Sequence, residues 1–310
     1  MNPRLLTLIA LRAVQSALVV IVVVSVVFFL SRLTGDPVRV LLPPDAPQEE
    51  IERIRREEGL TRPLYVQYAL FWRKALTLDF GYSFRTRQPA VEEVKGRLPA
   101  TIKLGLAAVL YSLLVGVPLG VLAAVKRGTP LDLLARLLAL VGQTTPNFWL
   151  GLMLILLFAV RLGWLPTGGE GGPRHLILPA VTLGSFNCAV LLRLTRSAML
   201  EVLGSDFVRT ARAKGLAELL VIGRHALPNA LIPVVTVLGL QVGVLVAGSI
   251  IVETVFSWPG MGRLVIQAIA VADYPVLQVG VIFIATVIVL ANWAVDISYL
   301  FLDPRIRAAA

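Results

Sequence analysis

The sequence has few of the side chains on which metal proteins and disulfide-rich domains depend. It holds one cysteine, Cys188, and only two histidines, so it allows no internal disulfide and no Cys/His metal cluster. Charged residues make up 15% of the 310 residues, against about a quarter in a typical soluble domain. This shortage argues against a soluble globular fold.

Motifs that would mark an enzyme are missing as well. The phosphate loop Gly-x-x-x-x-Gly-Lys-Ser/Thr does not occur, and no glycine is followed by lysine. Neither Gly-x-Ser-x-Gly nor His-Glu-x-x-His is found, so no hydrolase set can be recognised. We therefore expect a protein that is not an enzyme and that binds no cofactor of its own.

Apolar residues dominate instead, at 57% of the chain with a mean hydropathy of +0.81. They fall in blocks of roughly twenty residues, the length with which a helix crosses about 30 Å of hydrocarbon. The first block is too long for a signal peptide and has no cleavage site. We predict an all-α, polytopic membrane protein with six transmembrane helices, at about 9–30, 101–124, 135–158, 178–200, 231–254 and 277–301.

The formal net charge of +10 is placed mainly in short loops on one side of these spans. Short loops rich in lysine and arginine remain in the cytoplasm, so both termini are predicted to be cytoplasmic and the protein to lie in the inner (plasma) membrane. The same distribution argues against nucleic acid as a partner. The predicted domains are 1–30 (tail and first span), 31–100 (an extracytoplasmic segment) and 101–310 (a five-helix core).

Residues 31–100 are predicted to form a small helical cap outside the membrane. Asp45 can cap a helix that begins near Pro47 and stops at Gly59, and a second helix can start at Thr61. The second helix carries aromatic residues, including Tyr68 and Phe71, at helical spacing. These aromatics either pack the cap onto the membrane surface or form a docking surface for a soluble partner that delivers substrate.

The segment between the fourth and fifth spans, the 201–228 loop, is predicted to contain a short helix. Asp206 can cap it and Gly215 can end it. Phe207, Val208 and Ala211 would lie on one side, with basic residues towards the other. Since two to three turns are unstable alone in water, this helix needs a surface to lie on. The pair Leu227–Pro228 would mark the restart into span five.

The 201–228 loop resembles the cytoplasmic Glu-Ala-Ala loop of importer-type ABC permeases. The spacing is kept, but Arg209-Thr210-Ala211 replaces Glu-Ala-Ala and His225-Ala226-Leu227-Pro228 replaces Ile-x-Leu-Pro. The version found here is similar to the dipeptide/oligopeptide branch of that family. Further motifs typical of that branch occur in order along nearly the whole chain: Gly35-Asp36-Pro37, Arg97-Leu98-Pro99-Ala100-Thr101, Pro146-Asn147-Phe148-Trp149-Leu150-Gly151, the run from Glu253 to Gly262, Asp273-Tyr274-Pro275 and Asp303-Pro304-Arg305-Ile306-Arg307.

The resemblance implies that the loop helix couples the permease to a separate ATPase. Implied partners are two ATPase subunits, which bind ATP and Mg, a second permease subunit (a paralogue), and an extracytoplasmic substrate-binding protein. The residues implied to couple to the ATPase are Asp206, Phe207, Arg209, Thr210, Ala211, Arg212, Ala213, Lys214, Gly215 and Leu216.

Polar residues inside the apolar spans are candidates for lining a substrate pathway, because polarity that faces lipid is costly. Hydrogen bonding between helices is an equally good explanation for each of them. The candidates are Gln143, Asn147, Asn187, Gln241 and Asn292, with Thr144, Thr145, Ser185 and Asp296 beside them. Glu253, Trp258 and Arg263, around the outer loop after span five, are candidates for a gate or a docking contact.

Two other classes of protein compete with the importer. An ion-gradient-driven secondary transporter often has two similar halves and an ion-binding carboxylate near the bilayer midplane. No convincing internal repeat is present here, and the acidic residues cluster at the ends of the spans. A membrane enzyme would need a buried nucleophile–base pair, which the sequence does not suggest. Dipeptides, longer peptides, nickel chelates and other small solutes all remain open as substrates.

Overall fold

The computed structural model describes residues 3–33, 47–57 and 60–302, without the side chains of 3–9, 31–33, 54, 57, 240, 242, 244, 246–248 and 294–302. Within this part of the chain the regular elements are helices, and the only β-pairing is an isolated bridge between Tyr82 and Pro89. The helices are α1 Pro3–Leu33, α2 Gln48–Glu57, α3 Leu64–Thr77, α4 Ala90–Tyr111, α5 Val117–Val125, α6 Pro130–Thr144, α7 Asn147–Leu154, α8 Pro173–Leu203, α9 Asp206–Ala213, α10 Glu218–Leu220, α11 Leu227–Val255, α12 Met261–Ala270 and α13 Tyr274–Leu302.

Wider π-helical turns continue three of these helices, at Ser112–Gly116, Ile155–Arg161 and Val221–Ala226. Two of them end two residues before a proline: the first ends at Gly116, before Pro118, and the third ends at Ala226, before Pro228. Proline has no amide hydrogen to donate, and a π turn is one way in which a helix accommodates the missing bond. Therefore α4 runs into α5, and α10 runs into α11, without a loop between them.

Five helical stretches are long and apolar enough to cross a membrane, which confirms the polytopic all-α class. The second begins at Ala90 rather than near residue 101, so the last residues of the predicted cap are the first turns of α4. The fourth stretch corresponds to the predicted fifth span, and it begins at Glu218 rather than near residue 231. The stretches are Ala10–Leu30, Ala90–Val125, Pro173–Leu203, Glu218–Gly239 and Tyr274–Trp293.

The predicted third span is broken rather than straight. Helix α6 ends at Thr144, the chain restarts at Asn147, and the two parts are bent by 111°. Each part has fifteen residues, about 22 Å at 1.5 Å per residue, so neither crosses the hydrocarbon alone. Pro146 explains the break, since it cannot donate a helical hydrogen bond and disfavours helical geometry at the preceding residue. Counted as one span, the pair is the sixth.

The described residues group into two compact units. The first combines residues 1–100 with 259–293, and the second combines 101–258 with 294–309. In the first unit the ring of Tyr68 contacts Phe28, and its hydroxyl lies 2.7 Å from the Ser25 hydroxyl. Phe71 is buried and also contacts Phe28. These contacts between α3 and α1 favour the packing interpretation of the aromatic residues over a docking surface.

Several of the sequence predictions for this region lie outside the described residues. They are the cap at Asp45, the stop at Gly59 and the motif at Gly35-Asp36-Pro37, as well as the C-terminal motif that starts at Asp303. The helices that the cap was predicted to contain are present as α2 and α3.

Helix α8 is the most buried span of the second unit, and glycines let its neighbours approach closely. A Cβ atom on Gly116 would lie 2.6 Å from the Cys188 carbonyl oxygen, and one on Gly120 would lie 2.6 Å from that of Leu192. No real side chain fits at such distances, so these positions require glycine. Cys188 itself is buried in this contact. The glycines thus serve close helix packing.

Candidate functional site

The 201–228 loop contains the predicted short helix, and the helix lies on a surface of the chain itself. Val208 and Ala211 of α9 are 0% and 6% exposed. They belong to an apolar cluster with Met199 at the end of α8 and with Val221 and Ala226 of the π turn before α11. Burial of these side chains supplies the stability that eight residues lack on their own.

Two details of the prediction for α9 are wrong. The helix begins at Asp206, with Ser205 in the capping position, so Asp206 lies in the first turn and not at the cap. In the first turn the negative carboxylate of Asp206 still interacts favourably with the positive end of the helix dipole. Phe207 is 47% exposed and does not share the packed side of Val208. The predicted stop is confirmed: Gly215 has φ of +78°, a conformation that favours glycine, directly after the last helical turn.

The outward face of α9 is polar and basic around Phe207. Arg212 donates hydrogen bonds of 3.1 Å from Nε and 2.6 Å from an Nη atom to the two carboxylate oxygens of Glu218. This bidentate pair raises the pKa of Arg212 and closes the loop between α9 and α10. Of the remaining predicted coupling residues, Leu216 is half-buried and the exposed ones are Arg209, Thr210, Ala213, Lys214 and Gly215.

The connection from the loop into the fifth span differs from the prediction. Leu227–Pro228 does not restart the chain, because the helical path begins at Glu218 and passes through the π turn Val221–Ala226. Since Val221 and Ala226 are both completely buried in the cluster beneath α9, the packing of this helix is continuous with the start of span five.

The predicted pathway residues do not form one group. Gln143 and Asn147 stand on either side of the break between α6 and α7. Asn187 is 2% exposed, and its Oδ1 atom has no hydrogen-bond partner among the described residues. Gln241 is half-buried and Asn292 is exposed. The side chain of Asp296 lies outside the described part of the structure.

The break itself is stabilised by the threonines that precede it. The hydroxyl of Thr144 donates to the Leu140 carbonyl at 3.0 Å, and that of Thr145 donates to the Val141 carbonyl at 2.7 Å. They are second bonds to carbonyls of the last turn of α6, because the Thr145 amide also donates to the Val141 carbonyl, at 3.0 Å.

The turn at residues 253–258, which ends α11, is held inside the second unit. The Thr101 hydroxyl donates to a carboxylate oxygen of Glu253 at 2.7 Å, and the ammonium of Lys103 lies 5.7 Å from the centre of the Trp258 ring. Glu253 and Trp258 are completely buried. Arg263 belongs to the first unit, where it is half-buried on α12. Side chains buried in this way favour a gate over a docking contact.

Two sites with precise geometry were missed by sequence reasoning. Asp132 on α6 forms a bidentate pair with Arg196 on α8, at 2.6 Å and 3.0 Å. In the first unit the buried carboxylate of Asp273 accepts hydrogen bonds from the Ser83 hydroxyl and from the Phe84 amide. A signal for Asp132 did exist: Thr-Pro-Leu-Asp is a helix start with an acid in the first turn.

Comparison with known proteins identifies the family to which the chain belongs. A model of the "binding-protein-dependent transport system inner membrane component" family matches residues 116–308, and a model of the N-terminal region of such membrane components matches residues 5–105. The dipeptide transport system permease protein DppB of Alkalihalophilus pseudofirmus is 40% identical, over 96% of this chain and 98% of its own. The glutathione transport system permease protein GsiC of Escherichia coli K12 is 42% identical, over 93% and 94%.

Solved structures show the same fold at lower identity. An inward-facing form of the MetNI methionine ABC transporter aligns with 70% of this chain and 96% of its own at 20% identity, with a TM-score of 0.54. A second, an amino acid ABC transporter crystallised with histidines, aligns with 70% and 94% at a TM-score of 0.51. The family favours the ATP-driven importer over the secondary transporter and excludes an enzyme. The chain belongs to the binding-protein-dependent transport system inner membrane components, the multi-pass permease subunits of ATP-driven importers.

Proposed function

We propose that this permease imports short peptides, such as dipeptides, tripeptides of the glutathione type or longer oligopeptides. The relatives that align over nearly the whole chain are permeases for a dipeptide and for glutathione, which is itself a short peptide. Among the residues that the structure describes, the few polar groups of the spans form no charged cage, and we assign selection among peptides to a separate extracytoplasmic binding protein. The permease opens and closes the path.

The observation that carries the mechanism is that α9 is buried on one side and exposed on the other. One side is fixed to the chain by Val208 and Ala211, and the other presents Phe207 and Arg209 outward. A short rigid helix of this kind, continuous with span five through its packing, can transmit a rigid-body movement without unfolding. We assign its outward face to a cytoplasmic ATPase subunit, whose closure on ATP moves the helix.

The substrate path is assigned to the bend between α6 and α7. Non-helical backbone at membrane depth occurs where it is buried in protein or lines a water-filled cavity, and Gln143 and Asn147 flank this bend. Asn187 and Gln241 of the same unit are assigned secondary places along the path, and Glu253 and Trp258 form the gate at its outer end. Asn292 and Arg263 belong to the first unit, and their roles stay sequence predictions.

The complete importer then consists of this chain, a paralogous second permease, two ATPase subunits that bind ATP and Mg, and the extracytoplasmic binding protein. Both termini and the 201–228 loop lie in the cytoplasm, as the basic residues of the short loops require, and the complex lies in the inner membrane. The chain itself holds no nucleotide.

The experiment that tests this proposal is reconstitution of the five-part importer in liposomes with ATP inside. Radiolabelled dipeptide, glutathione and a nickel chelate are offered outside with the binding protein. Uptake of a peptide that depends on ATP and on the binding protein supports the proposal. Uptake of the chelate alone, or peptide uptake driven by an ion gradient without ATP, refutes it. The permease pair without its ATPase subunits should hydrolyse no ATP.

A further inference from the structure

A buried ion pair joins α6 to α8 at the end of the second unit nearest the 201–228 loop. Arg196 donates from Nε to Oδ1 of Asp132 at 2.6 Å and from an Nη atom to Oδ2 at 3.0 Å. The Asp132 side chain is 2% exposed and that of Arg196 is 21% exposed. The Gly128 amide donates a further bond of 3.1 Å to Oδ2. Asp132 is therefore bound by both α8 and its own preceding turn.

The buried apolar side chains that α6 contributes next to this pair are small. Ala135 and Ala139 of α6 pack with Ala189 and Leu192 of α8 and with Ala123 of α5. These small side chains let the two helices approach closely, but none of them makes a directional bond that selects one axial position. A bidentate bond with a short optimum distance is directional, so a shift of about 1 Å breaks it. The pair thus fixes the axial register of α6 on α8.

The helices joined by the pair, α8 and α6, lead to the two parts that the proposed function has to connect, which are α9 and the bend after α6. The cluster beneath α9 includes Met199, one turn beyond Arg196 on the same helix. At its other end α6 stops at Thr144, directly before the 111° bend. Packing thus connects α9 to the end of α8, and the ion pair connects α8 to α6.

We propose that Asp132 and Arg196 are positioning residues that transmit the movement of the 201–228 loop to α6 and so to the bend assigned to the substrate path. The inference rests on the proposed function of that loop. Without the pair, α8 still moves with the ATPase, but α6 slips, and ATP is hydrolysed without a matching opening of the path. The expected defect is therefore poor coupling, and assembly is retained.

The test uses the complete importer in liposomes and measures peptide imported per ATP hydrolysed. Arg196→Gln should lower this ratio at least fivefold while ATP hydrolysis stays within about twofold of wild type, and Arg196→Lys, which keeps the charge but not the fork, should lie between. Asp132→Asn should match Arg196→Gln. Arg193→Gln is the matched control, since Arg193 is exposed one turn earlier on α8, and its ratio should not change.

The double variant Asp132→Asn/Arg196→Gln covers the case in which a single variant fails to fold, because it leaves no unpaired buried charge. It should assemble and show the same low ratio, without an additive loss. An unchanged ratio overturns the proposal. So does a loss of uptake and hydrolysis in equal proportion, or failure of the double variant to assemble, since each indicates a purely structural bond. Absence of ATP-driven uptake in wild type instead defeats the proposed function.

Discussion

Phe207 and Val208 are neighbours at the start of α9, yet the first is 47% exposed and the second is completely buried. Val208 thus anchors the helix to the chain, while the ring of Phe207 remains open to contact by another protein. Aromatic side chains surrounded by polar and basic ones are typical of the centre of a protein interface. This contrast makes the two residues a matched pair for separating docking from folding.

Phe207→Ala should weaken binding of the ATPase subunit about 10- to 100-fold, which corresponds to roughly 1.4–2.8 kcal/mol, and leave the thermal midpoint of the permease unchanged. Val208→Asp should instead act on folding, because it places an unpaired charge in an apolar cluster. We expect a lower thermal midpoint and a lower yield of folded protein. Titration of the ATPase onto the permease pair in nanodiscs, with thermal denaturation in parallel, measures both. If Phe207→Ala binds as tightly as wild type, this ring is not a contact.

Thr101→Val should destabilise the protein by about 1–3 kcal/mol, since it removes a donor from the buried carboxylate of Glu253 at nearly constant volume. Thr101→Ser keeps the hydroxyl and is the control that should recover most of the loss. The measurement is the thermal midpoint in detergent by intrinsic fluorescence. Equal midpoints for the valine and serine variants would contradict the prediction, because only the serine variant keeps the hydroxyl that donates to Glu253.

Gly120→Ala should separate α5 from α8, because the new Cβ atom would lie 2.6 Å from the Leu192 carbonyl oxygen and 2.7 Å from Cβ of Thr195. We expect the free energy of unfolding to fall by about 1–3 kcal/mol, as it does in other overpacked contacts. Gly105→Ala is the control: nothing lies within 4 Å of its Cβ position, so it should be neutral or stabilising by about 0.5–1 kcal/mol. The thermal midpoint should fall for Gly120→Ala and not for Gly105→Ala, and a Gly120→Ala midpoint equal to that of wild type would contradict the close approach.

Asp273→Asn should loosen the segment at residues 83–87 in the first unit. The carboxylate accepts bonds from the Ser83 hydroxyl and from the amides of Phe84 and Arg85, and an amide side chain has only one oxygen to offer. Hydrogen exchange of the Phe84 and Arg85 amides should become at least tenfold faster. Asp79→Asn removes an exposed carboxylate nearby and should leave these rates as they are, so faster exchange in both variants would contradict the assignment.

Much of the fold could be predicted because long apolar blocks and helix-stop signals are local properties. Gly215 ends α9 as its position predicts, and the paired helices of the cap follow their 3.6-residue periodicity. Prolines were harder to interpret. Pro146 breaks its span, whereas Pro179 and Pro233 lie inside continuous helices. The sequence shows each missing amide but not whether neighbouring groups compensate for it.

The candidate site was predictable in outline and not in its contacts. Burial of one face of α9 follows from its amphipathic pattern, but that pattern does not separate the exposed Phe207 from the buried Val208 and Ala211. The pair of Asp132 and Arg196 is separated by sixty-four positions in sequence. Such a pairing depends on how α6 and α8 pack, and the local sequence pattern does not predict that packing. The family motifs identified the 201–228 loop, but the residues that contact it could be identified only from the packing of the helices.

The chain has one thiol, and that thiol is enclosed between α8 and its neighbours at Cys188. A maleimide reagent in water will therefore react slowly with the folded wild-type protein, because the reagent needs an accessible thiolate. Cysteines introduced at exposed positions such as Arg193 or Arg209 can then be labelled selectively with spin or fluorescent probes, without first replacing the native residue. Distances between such probes would follow the transport cycle in a protein that keeps its own interior intact.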